Sequence, residues 1–132
     1  MRQRLKIGDH ATVEIIVTPD MFAQFEGVIV HRVFSTVSMV YHMEWASRKI
    51  ILPILEEHEE GMGAAVSVKH LAPSPEGSRV TITATVSGLE EYTVMTNVSV
   101  KQGEKLIGSG EVKQVILPKS KIASLVAKSD EC

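Results

Sequence analysis

The chain has almost no cysteine: one residue, Cys132, at the last of 132 positions. A single thiol excludes an intrachain disulfide framework and a thiolate metal cage. That scarcity suits a reducing compartment, so a cytoplasmic protein is the expectation. Aromatics are few as well, three Phe, two Tyr and one Trp, a poor stock for stacking nucleic-acid bases. Charge of one sign is also missing. A net charge of -2 offers no concentrated Lys/Arg field for phosphate backbones or an anionic membrane surface. Met1 to Lys6 is basic, but Asp9, His10 and Glu14 break the apolar run after it, so neither a signal peptide nor a membrane span is legible there. There is no internal repeat, linker or low-complexity tract. One domain over 1–132, with a polar tail at 119–132, is expected.

What is present is one long apolar stretch, Thr36 to Leu55. Val40, Met43, Ser47, Ile50, Ile51 and Ile54 recur at three- and four-residue spacings and share one side of a helix. Val37, Met39, Trp45, Ala46 and Leu52 fill much of the remaining circumference, so the helix is expected to be covered nearly all round. Ser35, Thr36 or Ser38 can cap its start, and Pro53 should loosen its last turn. Glu56 to Gly61 reads as a solvated exit.

Around that helix the period is two. Val13, Ile15 and Val17 share a strand face before Thr18-Pro19-Asp20. Met21 to Phe34 is open between a lid, a helical turn and a strand. After Gly61, Ala64, Val66, Val68 and His70 share a face, and Pro73 to Gly77 forms a turn. Val80, Ile82, Ala84 and Val86 alternate with threonines and a serine. Gly88 suggests a turn, and Tyr92 to Val100 the next strand. A hairpin connection at 102–104 leads to a last strand from Leu106 to Leu117. Its Gly108 and Gly110, on one face, signal a bulge or a close approach. Ile122, Leu125 and Val126 could form one or two helical turns in the tail. Strand, helix and a four-strand antiparallel meander point to an α+β domain in which one sheet wraps one helix, the hotdog architecture. The open edges of such a sheet predict pairing in a homodimer.

Few residues offer chemistry. Glu44 sits in the apolar helix between Met43 and Trp45. It can form an ion pair with Arg48 one turn on, or be buried at a cleft with a raised pKa suited to a general base. His70 has inward parity on its strand and reads either as a satisfied core residue or as a catalyst. Thr36 reads as a cap or loop hydroxyl. The other histidines do not cluster with acids at ligand spacing, so no metal site is expected. Ile107 to Glu111 lies within a strand, which rules out a phosphate loop, and Ser109 lacks a base partner.

Phe34-Ser35-Thr36, Met39-Val40, Met43 to Ala46, Gly63, Val68 to His70, Pro73 to Gly77 and Ile107 to Gly110 form an ordered set. It resembles the hotdog thioesterases related to fluoroacetyl-CoA thioesterase, over about Gly8 to Leu117. The resemblance implies hydrolysis of an acyl-CoA thioester, with Thr36, Glu44 and His70 matching the family's catalytic residues and Gly63 matching the glycine whose N–H lies near the thioester carbonyl. Glu44 would act as nucleophile or base, His70 in proton transfer, and Thr36 as a hydrogen-bonding partner. Were Thr36 helical, it would lie about 12 Å from Glu44 along the axis. It must then precede the helix, fold back, or act across a subunit boundary.

Where the family has an arginine, this chain has Gln114, a substrate-binding candidate whose family counterpart's charge is lost or moved to Lys113. The segment from Pro19 to Thr36 is shorter than the lid of the fluoroacetyl-specific enzyme, so a small or medium acyl group is expected. Lys69, Arg79 and Lys101 are candidates for the CoA phosphates, each otherwise a solvated strand residue. No cofactor is implied beyond coenzyme A as part of the substrate. The expected partners are that acyl-CoA and a second copy or two pairs of copies, without nucleic acid or membrane. The alternative is a non-catalytic acyl-CoA-binding module on the same fold.

Overall fold

The structure, a computed structural model, describes residues 5–129. Seven strands and two α-helices follow one another: β1 (His10–Ile16), β2 (Phe22–Phe25), β3 (Val28–Phe34), α1 (Thr36–Ile51), β4 (Glu59–His70), β5 (Arg79–Glu90), β6 (Thr93–Gln102), β7 (Lys105–Pro118) and α2 (Lys119–Ser129). The main sheet has the order β1-β5-β6-β7-β4 and every pairing in it is antiparallel. It curls around α1, which touches each of its five strands. The result is the hotdog fold. The period-two pattern predicts this wrap: Val80, Ile82, Ala84 and Val86 face the helix with Val94, Val98 and Val100, and all are buried.

Ser35 is the cap of α1, its hydroxyl accepting from the Ser38 N–H at 3.0 Å. Pro53 cannot donate to the helical ladder, and the chain passes into a 3-10 turn over Leu52–Ile54. Met39, Met43, Ala46, Ile50 and Ile51 enter the core. Tight approach at the sheet requires glycine. A methyl on Gly108 would lie 2.5 Å from the Met39 sulfur, and one on Gly110 would collide with the Ser67 carbonyl oxygen.

Several expectations change. The open stretch from Met21 to Phe34 is mostly a two-stranded hairpin, β2–β3, turned by Glu26 (φ 51) and Gly27 (φ 80), both left-handed as a two-residue hairpin loop demands. Gly88 marks a β-bulge in β5, and the turn falls at 91–92. Glu59 and Glu60 already belong to β4, where they pair with Pro118 and Leu117. The tail forms a longer helix than expected, 11 residues in α2. Finally, α1 is not covered all round. Tyr41 is 63% and Trp45 42% exposed, with Val37 and Leu52 exposed along the same side, because β4 is the last strand of the sheet among the described residues.

Candidate functional site

β4 runs antiparallel to α1, so its far end meets the helix start and its middle meets the helix middle. Two clusters result. At the helix start, Thr36 is the first helical residue, and its Oγ1 lies 2.9 Å from His70 Nδ1. His70 reaches it because inward parity on β4 turns the ring toward α1. The other ring nitrogen, Nε2, is buried and has no hydrogen-bond partner among the described residues. A buried, unpaired imidazole nitrogen is uncommon and marks a position where a reacting group can be held. The Thr36 and Val37 N–H groups, which lack acceptors one turn back, and the positive end of the helix dipole belong to the same end of α1.

The second cluster is Glu44 with Gly63. A methyl on Gly63 would stand 2.9 Å from Glu44 Oε1, so the carboxylate lies against the bare strand backbone. Strict alternation from His70 would turn position 63 to the outer face. A bulge at Ala64 shifts the register, so Gly63 pairs with Gln114 and faces the helix. Sequence parity missed this, and only the presence of two glycines, Gly61 and Gly63, hinted at it.

The burial expected for Glu44 does not occur within one chain: the residue is exposed, on the uncovered side of α1. The ion pair with Arg48 does not form either. Arg48 Nη2 instead bonds Glu60 Oε2 at 2.9 Å. Glu60 also accepts from the Gly61 N–H at 2.9 Å. That backbone bond, with Arg48 second, holds its carboxyl below the ordinary value of 4.5. Thr36 neither precedes the helix nor folds back. It stands eight positions before Glu44 in the same helix, about 12 Å along the axis. One chain therefore carries Thr36–His70 and Glu44–Gly63 as two separate clusters.

The remaining candidates scatter. Gln114 is buried, and its side-chain Nε2 donates to the Ser47 carbonyl at 3.0 Å, so it braces the helix from below. Lys69 is exposed on the outer face of β4, opposite Ser109. Arg79 opens β5 opposite Ile16 of β1, on the far side of the sheet from β4. Lys101 is exposed on β6, opposite Thr81. No group of three His, Cys, Asp or Glu suited to a metal occurs among the described residues. A cavity of about 440 Å³ opens beside Thr36, between the β2–β3 hairpin and α1, lined by Phe22, Ala23, Phe25, Val37 and Tyr41 and by the polar Asp20, Gln24, Ser35 and Ser38. The sequence pattern does not reveal it, because the hairpin that walls it has no clear period between Met21 and Phe34.

Fold and relatives together define a hotdog thioesterase. A solved Thermus thermophilus protein described as a thioesterase superfamily member superposes with a TM-score of 0.90, at 44% identity, covering 96% of this chain and 93% of that one. The fluoroacetyl-CoA thioesterase of Streptantibioticus cattleyicolor is 31% identical over 128 residues, 89% of this chain and 88% of that protein. A solved variant of the fluoroacetyl-CoA-specific thioesterase in complex with fluoroacetate and CoA gives a TM-score of 0.82 at 31% identity, over 89% of this chain and 99% of that one. The family model described as fluoroacetyl-CoA-specific thioesterase matches residues 17–120. The chain belongs to that family, and it is an acyl-CoA thioesterase. None of its described helices is long and apolar enough to cross a membrane.

Proposed function

We propose that the protein hydrolyses a small or medium acyl-CoA ester at a site shared between two copies of the chain, with Thr36 and His70 from one copy and Glu44 and Gly63 from the other. The observation that carries this reading is the 2.9 Å Thr36–His70 contact with the His70 Nε2 left buried and unpaired. The separation of the two clusters along α1 supplies the need for a second chain. β4 is an open edge with Ala64, Ala65 and Val66 exposed, and the neighbouring side of α1 presents Val37, Tyr41 and Trp45. An edge of that kind invites pairing with its own copy. Two β4 strands pairing antiparallel about a centre near Val66 would set His70 of one copy near the partner subunit's Gly63. The same contact would cover Glu44 and withdraw it from water.

In that arrangement the Gly63 N–H and the first N–H groups of α1 hold the oxyanion that develops on the thioester carbonyl. Glu44 either attacks the carbonyl, giving an anhydride that water then cleaves, or takes the proton from an attacking water, and the Thr36–His70 pair delivers a proton to the departing CoA thiolate. The cavity beside Thr36, with its mixed apolar and polar lining, takes the acyl group or the adjoining pantetheine arm. Coenzyme A enters only as part of the substrate, no metal or redox cofactor takes part, and the setting is the cytoplasm.

Mixing chains tests the shared site. Glu44→Gln and His70→Asn homodimers should each be nearly inactive. Unfolding and refolding them together gives half heterodimers, each with one intact site of two, and about a quarter of wild-type turnover in a free-thiol assay with acetyl-, butyryl- and hexanoyl-CoA. A mixture as dead as its parents would refute the sharing. A Glu44→Gln protein that stays folded at wild-type turnover would refute the chemistry. A folded wild-type protein that releases no thiol from any of the three would refute the choice of a small or medium acyl group.

A further inference from the structure

Beneath the Glu44 turn of α1 lies a polar cluster that the proposed chemistry does not use. Ser47 and Thr96 are fully buried and Gln114 nearly so. Ser47 Oγ donates to the Met43 carbonyl at 2.9 Å and lies 2.8 Å from Thr96 Oγ1. Thr96 sits 3.3 Å from the Val112 carbonyl, and Gln114 Nε2 donates to the Ser47 carbonyl at 3.0 Å. The fold does not need these bonds. The Ser47 carbonyl already has its helical acceptor role, and the neighbouring inward positions Val94, Val98, Val112 and Ile116 carry apolar side chains. Polar groups buried among such residues gain little net stability over apolar ones of similar shape, and what they add is a defined position.

The position they define is that of the acid. Gln114 is the cross-strand partner of Gly63, and Gly63 is the residue against which Glu44 rests. From that same row the Gln114 side chain crosses to Ser47, three residues beyond Glu44 on α1. Ser47 in turn grips the carbonyl of Met43, the residue before Glu44. A closed circuit therefore joins strand row, amide, helix turn and carboxylate. It closes where the Ala64 bulge leaves β4 without a regular ladder to hold its spacing. We propose that Gln114, acting with Ser47 and Thr96, is a positioning residue that sets the gap between the Glu44 carboxylate and the Gly63 backbone. This inference rests on the reading of Glu44 as the acid of thioester hydrolysis.

The test is a double-mutant cycle in the intact protein. Gln114→Leu and Gln114→Met keep the volume and remove the amide. Each should fold with a melting temperature close to wild type, lose about ten- to thirty-fold in kcat, and change KM less than three-fold, since displacement of a reacting group by a fraction of an ångström acts on turnover. In a Glu44→Gln background the same substitutions should cost no further turnover, because Gln114 acts only through that carboxylate. Wild-type kcat in both Gln114 variants, or an equal loss in both backgrounds, would overturn the proposal. An independent readout separates it from the chemistry itself. The Gly63 amide and Glu44 carboxyl NMR resonances should move in Gln114→Leu whether or not Glu44 is catalytic. If Glu44→Gln retains full turnover, the catalytic reading falls, and unmoved resonances then dispose of the positioning claim separately.

Discussion

Replacing Gly63 by Ala tests the contact between acid and strand with one methyl group. That methyl would stand 2.9 Å from Glu44 Oε1, against 3.4 Å for ordinary contact, so one of the two must yield by about 0.5 Å. The atom in the way is the end of a flexible, exposed side chain, and Gly63 has no left-handed φ that a side chain would strain. The carboxylate will therefore move, and the backbone will not. A small χ adjustment at the far end of one side chain costs under about 1 kcal/mol, so thermal unfolding should shift only slightly. Turnover should respond far more. A misplacement of about 1 Å costs on the order of a hundred-fold, so half of that predicts about ten-fold, or roughly 1.4 kcal/mol on the barrier. Thiol release from an acyl-CoA panel, measured beside a melting curve, separates the two effects. Unchanged kcat at an unchanged melting temperature would refute the reasoning, because the acid would then tolerate displacement and could not be at the reacting centre. A collapse in melting temperature would refute it too, showing that the strand and not the side chain had given way.

Gly110→Ala should behave in the opposite sense: its methyl meets the Ser67 carbonyl oxygen and, at 2.7 Å, the Met43 methyl, so β4 must part from β7. A loss of about 3 kcal/mol or more is expected in denaturant titration. Thr36→Val removes the hydroxyl beside His70 Nδ1 and should lower kcat by about a hundred-fold or more, whereas Thr36→Ser should keep most of it. The Arg48–Glu60 pair is about a third exposed on both sides and is worth under about 1 kcal/mol. Because the Glu60 carboxyl is held below 4.5 when folded, its contribution is complete above that pH and is lost as pH falls through the folded value. Glu60→Gln should thus flatten the acid limb of the stability curve and leave neutral stability within the pair's small worth.

Much of this molecule is readable without coordinates because its patterns are local. Alternation from Val80 to Val86 and helical spacing from Val40 to Ile51 each depend on a side chain's direction relative to near neighbours, which backbone geometry dictates. Those periods specify a sheet around a helix, and inward parity aims His70 at α1. Family resemblance singled out Thr36, Glu44, His70 and Gly63 together. Tertiary structure decided the rest. Whether position 63 faces the helix depends on the Ala64 bulge, one extra residue accommodated by pairing with β7 and invisible in an alternating pattern. Arg48 chooses Glu60 over Glu44 because β4 brings that carboxylate to 2.9 Å, a long-range meeting that no helical spacing encodes. The bare side of α1 follows from strand order, since β4 ends the sheet, and the gap between the two clusters from α1 already being helical at Thr36. Direction is a property of each residue and its neighbours; adjacency is a property of the whole folded chain.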